Sequence, residues 1–111
     1  MSTRSRQKTL NCDLGILVSS QRFIEHVVGI CRAAAETGRK AVVFLTGPGV
    51  LLVEDLCFPE LVATGARITV CEVSFIAYGL SKPIPGLKEK DFTNQMQNAE
   101  MLDACTRYVV F

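Results

Sequence analysis

Cys71 stands where a thiol can become a nucleophile. It closes the β-branched apolar run Ile68-Thr69-Val70-Cys71, and a short segment of helical composition follows at once, ending at Gly79. In an α/β domain the ligand crevice lies outside the carboxyl ends of the parallel strands. A thiol at that edge, just ahead of a helix, has its thiolate stabilised by unpaired backbone N–H groups and by the helix dipole. Ser74 is placed to act either as the N-cap of that helix or as a hydrogen-bond donor to a Cys71 thiolate. Lys82, just past the helix, adds positive potential if the following loop folds back. Both effects lower a thiol pKa and raise nucleophilicity near neutral pH. The competing reading is structural, since a strand cysteine is ordinarily a small buried hydrophobe.

The other chemistry-bearing residues make weaker cases. Five cysteines, at positions 12, 31, 57, 71 and 105, are odd in number and irregular in spacing, with no C-x-x-C and no Cys/His ligand pair. That pattern argues against zinc and against a disulfide framework, and it predicts free thiols in a reducing compartment. The single histidine, His26, falls off the main apolar face of its helix and reads as solvated. Gly47-Pro48-Gly49 follows an apolar strand, as a phosphate-binding turn would. It lacks the Lys-Ser/Thr of a Walker loop, and Pro48 has no N–H to offer a phosphate. The expectation is a tight turn lining the crevice. Glu54, Asp55 and Glu60, and the run Lys88-Glu89-Lys90-Asp91, read as solvated surface.

These residues need a scaffold. A chain of 111 residues supports one hydrophobic core, expected over residues 11–111 behind a basic tail at 1–10. Hydrophobic residues make up 49% of the chain and mean hydropathy is +0.28. A sheet covered on both faces would account for this, as would an apolar patch buried between subunits. The net charge of +1 and pI near 7.6 give no reason to expect nucleic acid. No long apolar segment marks a signal peptide or a bilayer span, so a cytoplasmic protein without membrane contact is expected.

Periodicity predicts strands over 13–19, 40–46, 67–73 and 107–111, with a short strand near Phe92. It predicts a helix over 21–37, with Ser20 as its N-cap and Gly38 as its end. Further helices are predicted from Val50, over 59–64, over 74–80, and over 95–105 with Met96, Ala99 and Leu102 buried. Strands apolar on both faces, alternating with helices, predict a three-layer α/β domain: a mostly parallel sheet of about five strands with helices on both faces.

With those residues in view, the chain resembles the small sulfur-relay proteins of the DsrE/DsrF-like family, of the TusD and YchN types. The resemblance rests on the opening strand and long helix, on FLTGPGV, on the strand-Cys-helix-Gly segment, on the proline-glycine loop and on the closing VVF. The family's active cysteine stands eight residues ahead of a glycine that closes the short helix, and Cys71 and Gly79 have that spacing. The resemblance implies a flavodoxin-like fold and assembly into homotrimers or hexamers. It implies a persulfide carried on Cys71 and exchanged with donor and acceptor proteins, and neither metal nor cofactor. Gly47, Pro48, Gly49, Tyr78 and Lys82 would line the mouth. Two positions depart from the pattern. Ser74 stands where YchN-like members often carry a second cysteine, and Tyr78 where a basic residue is common. Both favour the alternative of a non-catalytic oligomeric binding module that kept the fold and lost the relay.

Overall fold

Five short apolar runs become strands: β1 (Leu14–Val18), β2 (Ala41–Leu45), β3 (Arg67–Cys71), β4 (Phe92–Thr93) and β5 (Arg107–Val110). The structure, a computed structural model, describes residues 12–111; the basic tail expected over 1–10 lies outside the described residues. All strand pairs are parallel, in the order β4-β3-β2-β1-β5. The central strand β2 is buried at every position, as its unbroken AVVFL composition requires.

Between the strands lie α1 (Ile24–Glu36), a 3₁₀ segment (Gly47–Glu54), α2 (Phe58–Ala63), α3 (Glu72–Ala77) and α4 (Met96–Ala104). From β1 to β4 each connection steps the same way across the sheet. Right-handed crossovers therefore put α1, the 3₁₀ segment, α2 and α3 on one face. The β4-to-β5 connection reverses direction and returns to the outer side of β1, which sends α4 to the opposite face. The first face buries Ile16, Val43 and Val70 against Val27, Val50, Leu61 and Phe75. The second buries Val42, Phe44 and Cys71 with Met101. The chain is thus a three-layer, flavodoxin-like α/β domain. The strand outside β1 is the last one, where the flavodoxin order places the second. Among the described residues no helix is long and apolar enough to cross a membrane.

Several expectations are corrected. Helix α1 begins at Ile24, because Ser20 Oγ accepts the Arg22 N–H at 3.1 Å and closes a turn before the helix instead of capping it. Gly47-Pro48-Gly49 is the opening of the 3₁₀ segment rather than a free turn. On α4, Met96, Ala99 and Leu102 are all exposed, Met96 by 65% and Leu102 by 57%, and Gln97 and Met101 face the sheet instead.

The free-thiol expectation fails at two cysteines, since Cys12 and Cys105 form a disulfide with a Cα–Cα distance of 4.8 Å. The sheet register causes this. Leu14 pairs with Arg107, so residues two places upstream on each chain segment, Cys12 and Cys105, are also brought abreast. The disulfide ties the C-cap of α4 to the start of β1 and so selects which face of α4 meets the sheet. Cys31, Cys57 and Cys71 remain free.

Candidate functional site

Strand β3 ends two residues earlier than its composition predicts. Cys71, at φ −69° and ψ 113°, is both its last residue and the N-cap of α3. Ser74 is therefore inside α3 and not its cap. Its side chain turns back toward the sheet, where Ser74 Oγ accepts the Gly47 N–H at 3.0 Å. The Ser74 hydroxyl and backbone N–H both favour the Cys71 thiolate and lower its pKa.

Two further donors come from other elements. Thr46, directly after β2, also favours the Cys71 thiolate and lowers its pKa. Gln95, at the N-cap of α4, places Nε2 at 3.7 Å from Cys71 Sγ and at 3.1 Å from Thr46 Oγ1, to which it also donates. Each hydroxyl oxygen accepts an N–H, Ser74 from Gly47 and Thr46 from Gln95. Each is thereby left with its own hydrogen to give to sulfur. Asn94 holds Gln95 in place, its Oδ1 accepting the Met96 N–H at 2.9 Å at the start of α4.

This network decides the state of the thiol. Burial pushes the Cys71 thiol up, because it is only 4% exposed. The hydrogen bonds from Ser74, Thr46 and Gln95 outweigh that penalty, and its pKa lies below the ordinary 9.0. Cys31, buried on the inner face of α1 with no such donors, is pushed up to about 11 by desolvation. Cys57 is raised as well, by burial and by the carboxylates of Glu60, Asp55 and Glu25. Cys71 is the one free thiol among the described residues whose surroundings favour the anion.

Cys71 lies at the wall of an open groove of about 530 Å³, lined with Val73, Ser74, Asn94, Gln95 and Met96. The groove mouth is apolar, with the side chains of Val73 and Met96 well exposed. Gly47 reaches this site through its bond to Ser74. Gly47 itself has φ +52°, a conformation glycine adopts without steric cost. Pro48, Gly49, Tyr78 and Lys82, expected at the mouth, do not line the groove. Gly49 instead lets the 3₁₀ segment close on β1, since a Cβ there would overlap the Val18 carbonyl. Tyr78 is the C-cap of α3, with Gly79 following.

Lys82 folds back, but to carboxylates. Its Nζ lies 2.7 Å from Glu72 Oε2 and 2.9 Å from Glu89 Oε2, and 4.3 Å from the centre of the Phe92 ring. Hydrogen bonds to Glu72 and Glu89 raise its own pKa, so its charge is matched locally. The thiol is tuned by neutral donors rather than by a cation. Thr46 and Gln95 escaped sequence reasoning: nothing in their spacing, 25 and 24 residues from Cys71, marks them. The only usable signal was that Thr46 ends a strand adjacent to the one that ends in Cys71.

No protein-family model, curated protein or solved structure matches this chain.

Proposed function

We propose that this chain is an intracellular sulfur carrier of the DsrE-like type, with Cys71 as the carrying thiol. The observation that carries the reading is the set of converging donors, Ser74, Thr46 and Gln95, which lowers the pKa of a thiol at the wall of an apolar groove. The Cys71 thiolate attacks the outer sulfur of a donor persulfide, R–S–SH. The bond between the two donor sulfurs breaks, R–S⁻ leaves, and Cys71–S–SH forms. An acceptor thiolate then attacks that outer sulfur and Cys71–S⁻ is the leaving group, with no net oxidation or reduction. A low-pKa thiol serves both steps, as nucleophile in the first and leaving group in the second. The exposed apolar side chains of Val73 and Met96 at the groove, with Ile76 exposed elsewhere on α3, suit a protein donor or acceptor, or assembly into a homotrimer or hexamer. A cytoplasmic location belongs to this reading. There the Cys12–Cys105 disulfide is under reducing pressure, and trapping thiols in intact cells reports its state.

The test is intact-protein mass spectrometry after incubation with a polysulfide donor. A reducible gain of one sulfur in wild type and none in Cys71→Ala supports the relay. Equal loading of the mutant rejects Cys71 as carrier.

A second reading, a non-catalytic oligomeric module, is favoured by the 4% exposure of Cys71. It predicts no loading in either protein and alkylation of Cys71 no faster than that of buried Cys31.

A further inference from the structure

At the opposite end of the sheet from Cys71, two adjoining clefts run along the amino ends of β2, β3 and β4. The first, of about 370 Å³, is rimmed by Arg39, Lys40 and Arg67 over a floor that includes Ala35, Ala41 and Ala66. The second, of about 330 Å³, shares Gly65, Ala66 and Arg67 with the first and adds Lys88 and Lys90 beside Val62 and Ile68. The chain's net charge of +1 conceals this concentration. All five cations are exposed, and none forms an ion pair with a described residue, unlike Arg32 with Glu60 and Lys82 with Glu72 and Glu89.

Asp91 lines the second cleft and Asp13 bonds Lys40 beside the first, and both carboxylates accept backbone N–H groups. Asp13 accepts the Lys40 N–H at 2.7 Å, and Asp91 accepts the Lys88 N–H at 2.8 Å. Glu36 and Glu60 belong to a neighbouring hollow beside Arg32.

We infer that this track is a docking surface for an acidic, partly apolar segment of a partner protein. Three observations select that occupant. The loop N–H groups that would cradle a compact phosphate are already used: Arg39 N–H by Ala34 O, Gly65 N–H by Val62 O and Ala66 N–H by Thr64 Oγ1. Recognition therefore falls to side-chain cations spread along the track, which suits an extended polyanion better than one phosphate group. Neither cleft is lined by an aromatic side chain on which a nucleobase would stack. Aliphatic floors between cationic rims complement a segment in which carboxylates alternate with apolar side chains. The surface is distinct from the Cys71 groove and does not depend on its chemistry.

The experiment is fluorescence anisotropy with a labelled peptide alternating glutamate with leucine and valine, beside a glutamine-for-glutamate control peptide. The variant Arg39→Gln/Arg67→Gln/Lys88→Gln removes charge from the track. Gln21→Glu/Arg22→Glu, at the carboxyl end of the sheet, alters net charge equally elsewhere. Surface glutamines leave the fold intact, which a thermal melt verifies. The acidic peptide should bind wild type and the Gln21/Arg22 variant alike, weaken roughly tenfold or more on the track variant, and outcompete its neutral counterpart. The proposal is overturned if the acidic peptide does not bind or if both variants weaken it equally. Tighter binding of a single-stranded oligonucleotide of matched charge through the same residues would also overturn it.

Discussion

Gln95 and Cys71 lie 24 residues apart and on different elements, yet the Gln95 amide nitrogen sits 3.7 Å from the Cys71 sulfur. The contact joins the start of α4, the lone α-helix among the described residues on its face of the sheet, to the end of β3. It makes the state of the thiol depend on how firmly α4 is docked.

The pH dependence of Cys71 reactivity follows from that network. A thiol whose folded pKa is lower than its unfolded value contributes stability that is fully present above 9.0 and lost as pH falls through the folded pKa. Cys31 behaves oppositely, its contribution being present below 9.0 and lost as pH rises through about 11. Alkylation of Cys71 followed by mass spectrometry should show a midpoint below 9.0. Ser74→Ala and Gln95→Ala should each move it upward and slow alkylation several-fold at neutral pH. An unmoved midpoint in both variants would show that the donors do not set it.

Lys82→Gln should leave that midpoint where it is. The Lys82 charge is held by Glu72 and Glu89 and reaches the thiol only weakly. A substantial rise in the Cys71 midpoint would restore the cationic-pocket explanation that the sequence suggested.

Reducing the disulfide or replacing Cys105 with Ser should destabilise the fold by about 2–4 kcal/mol, measured by urea unfolding. The bond closes a long loop, with 93 residues of separation, so it strongly restricts the unfolded chain. Amide exchange should accelerate first in α4, and Cys71 alkylation should slow at neutral pH as Gln95 loses its position. Uniform exchange across the sheet would contradict the local coupling.

Met101 is the only fully buried large apolar side chain of α4, and Met101→Ala should cost about 2–5 kcal/mol by the same measurement. Gly15→Val should act from below. A Cβ at position 15 already meets Cys105 Sγ at 3.1 Å and Met101 Cε at 3.2 Å, and the added methyl groups should cost about 1–3 kcal/mol. If Gly15→Val left stability unchanged, α4 would be less tightly seated than its contacts indicate.

The strands, the layering and the short fourth strand at Phe92 were legible because continuous β-branched runs have few other uses than a doubly covered parallel sheet. Cys71 was legible as a thiol near the carboxyl end of a strand, but its place at the last residue was not, since the apolar composition runs on to Val73. The face of α4 was not, because its composition offers Met96 and Leu102 as readily as Met101, and sequence spacing alone does not rank them. Lys82 was expected at the mouth, where it does not lie; its pairing with Glu72 and Glu89 depends on how the loop returns over α3, which local spacing does not encode.

By itself, the amino-acid sequence determined which segments are strands and helices and where a thiol meets a strand end, since these follow from local periodicity and turn chemistry. Tertiary structure alone decided that Cys12 and Cys105 meet, that Thr46 and Gln95 donate to Cys71, and that five scattered cations form one track. Each of these depends on which strands neighbour which and in what register. The β1–β5 pairing of Leu14 with Arg107 is a relation between residues 93 positions apart, on which local periodicity has no bearing.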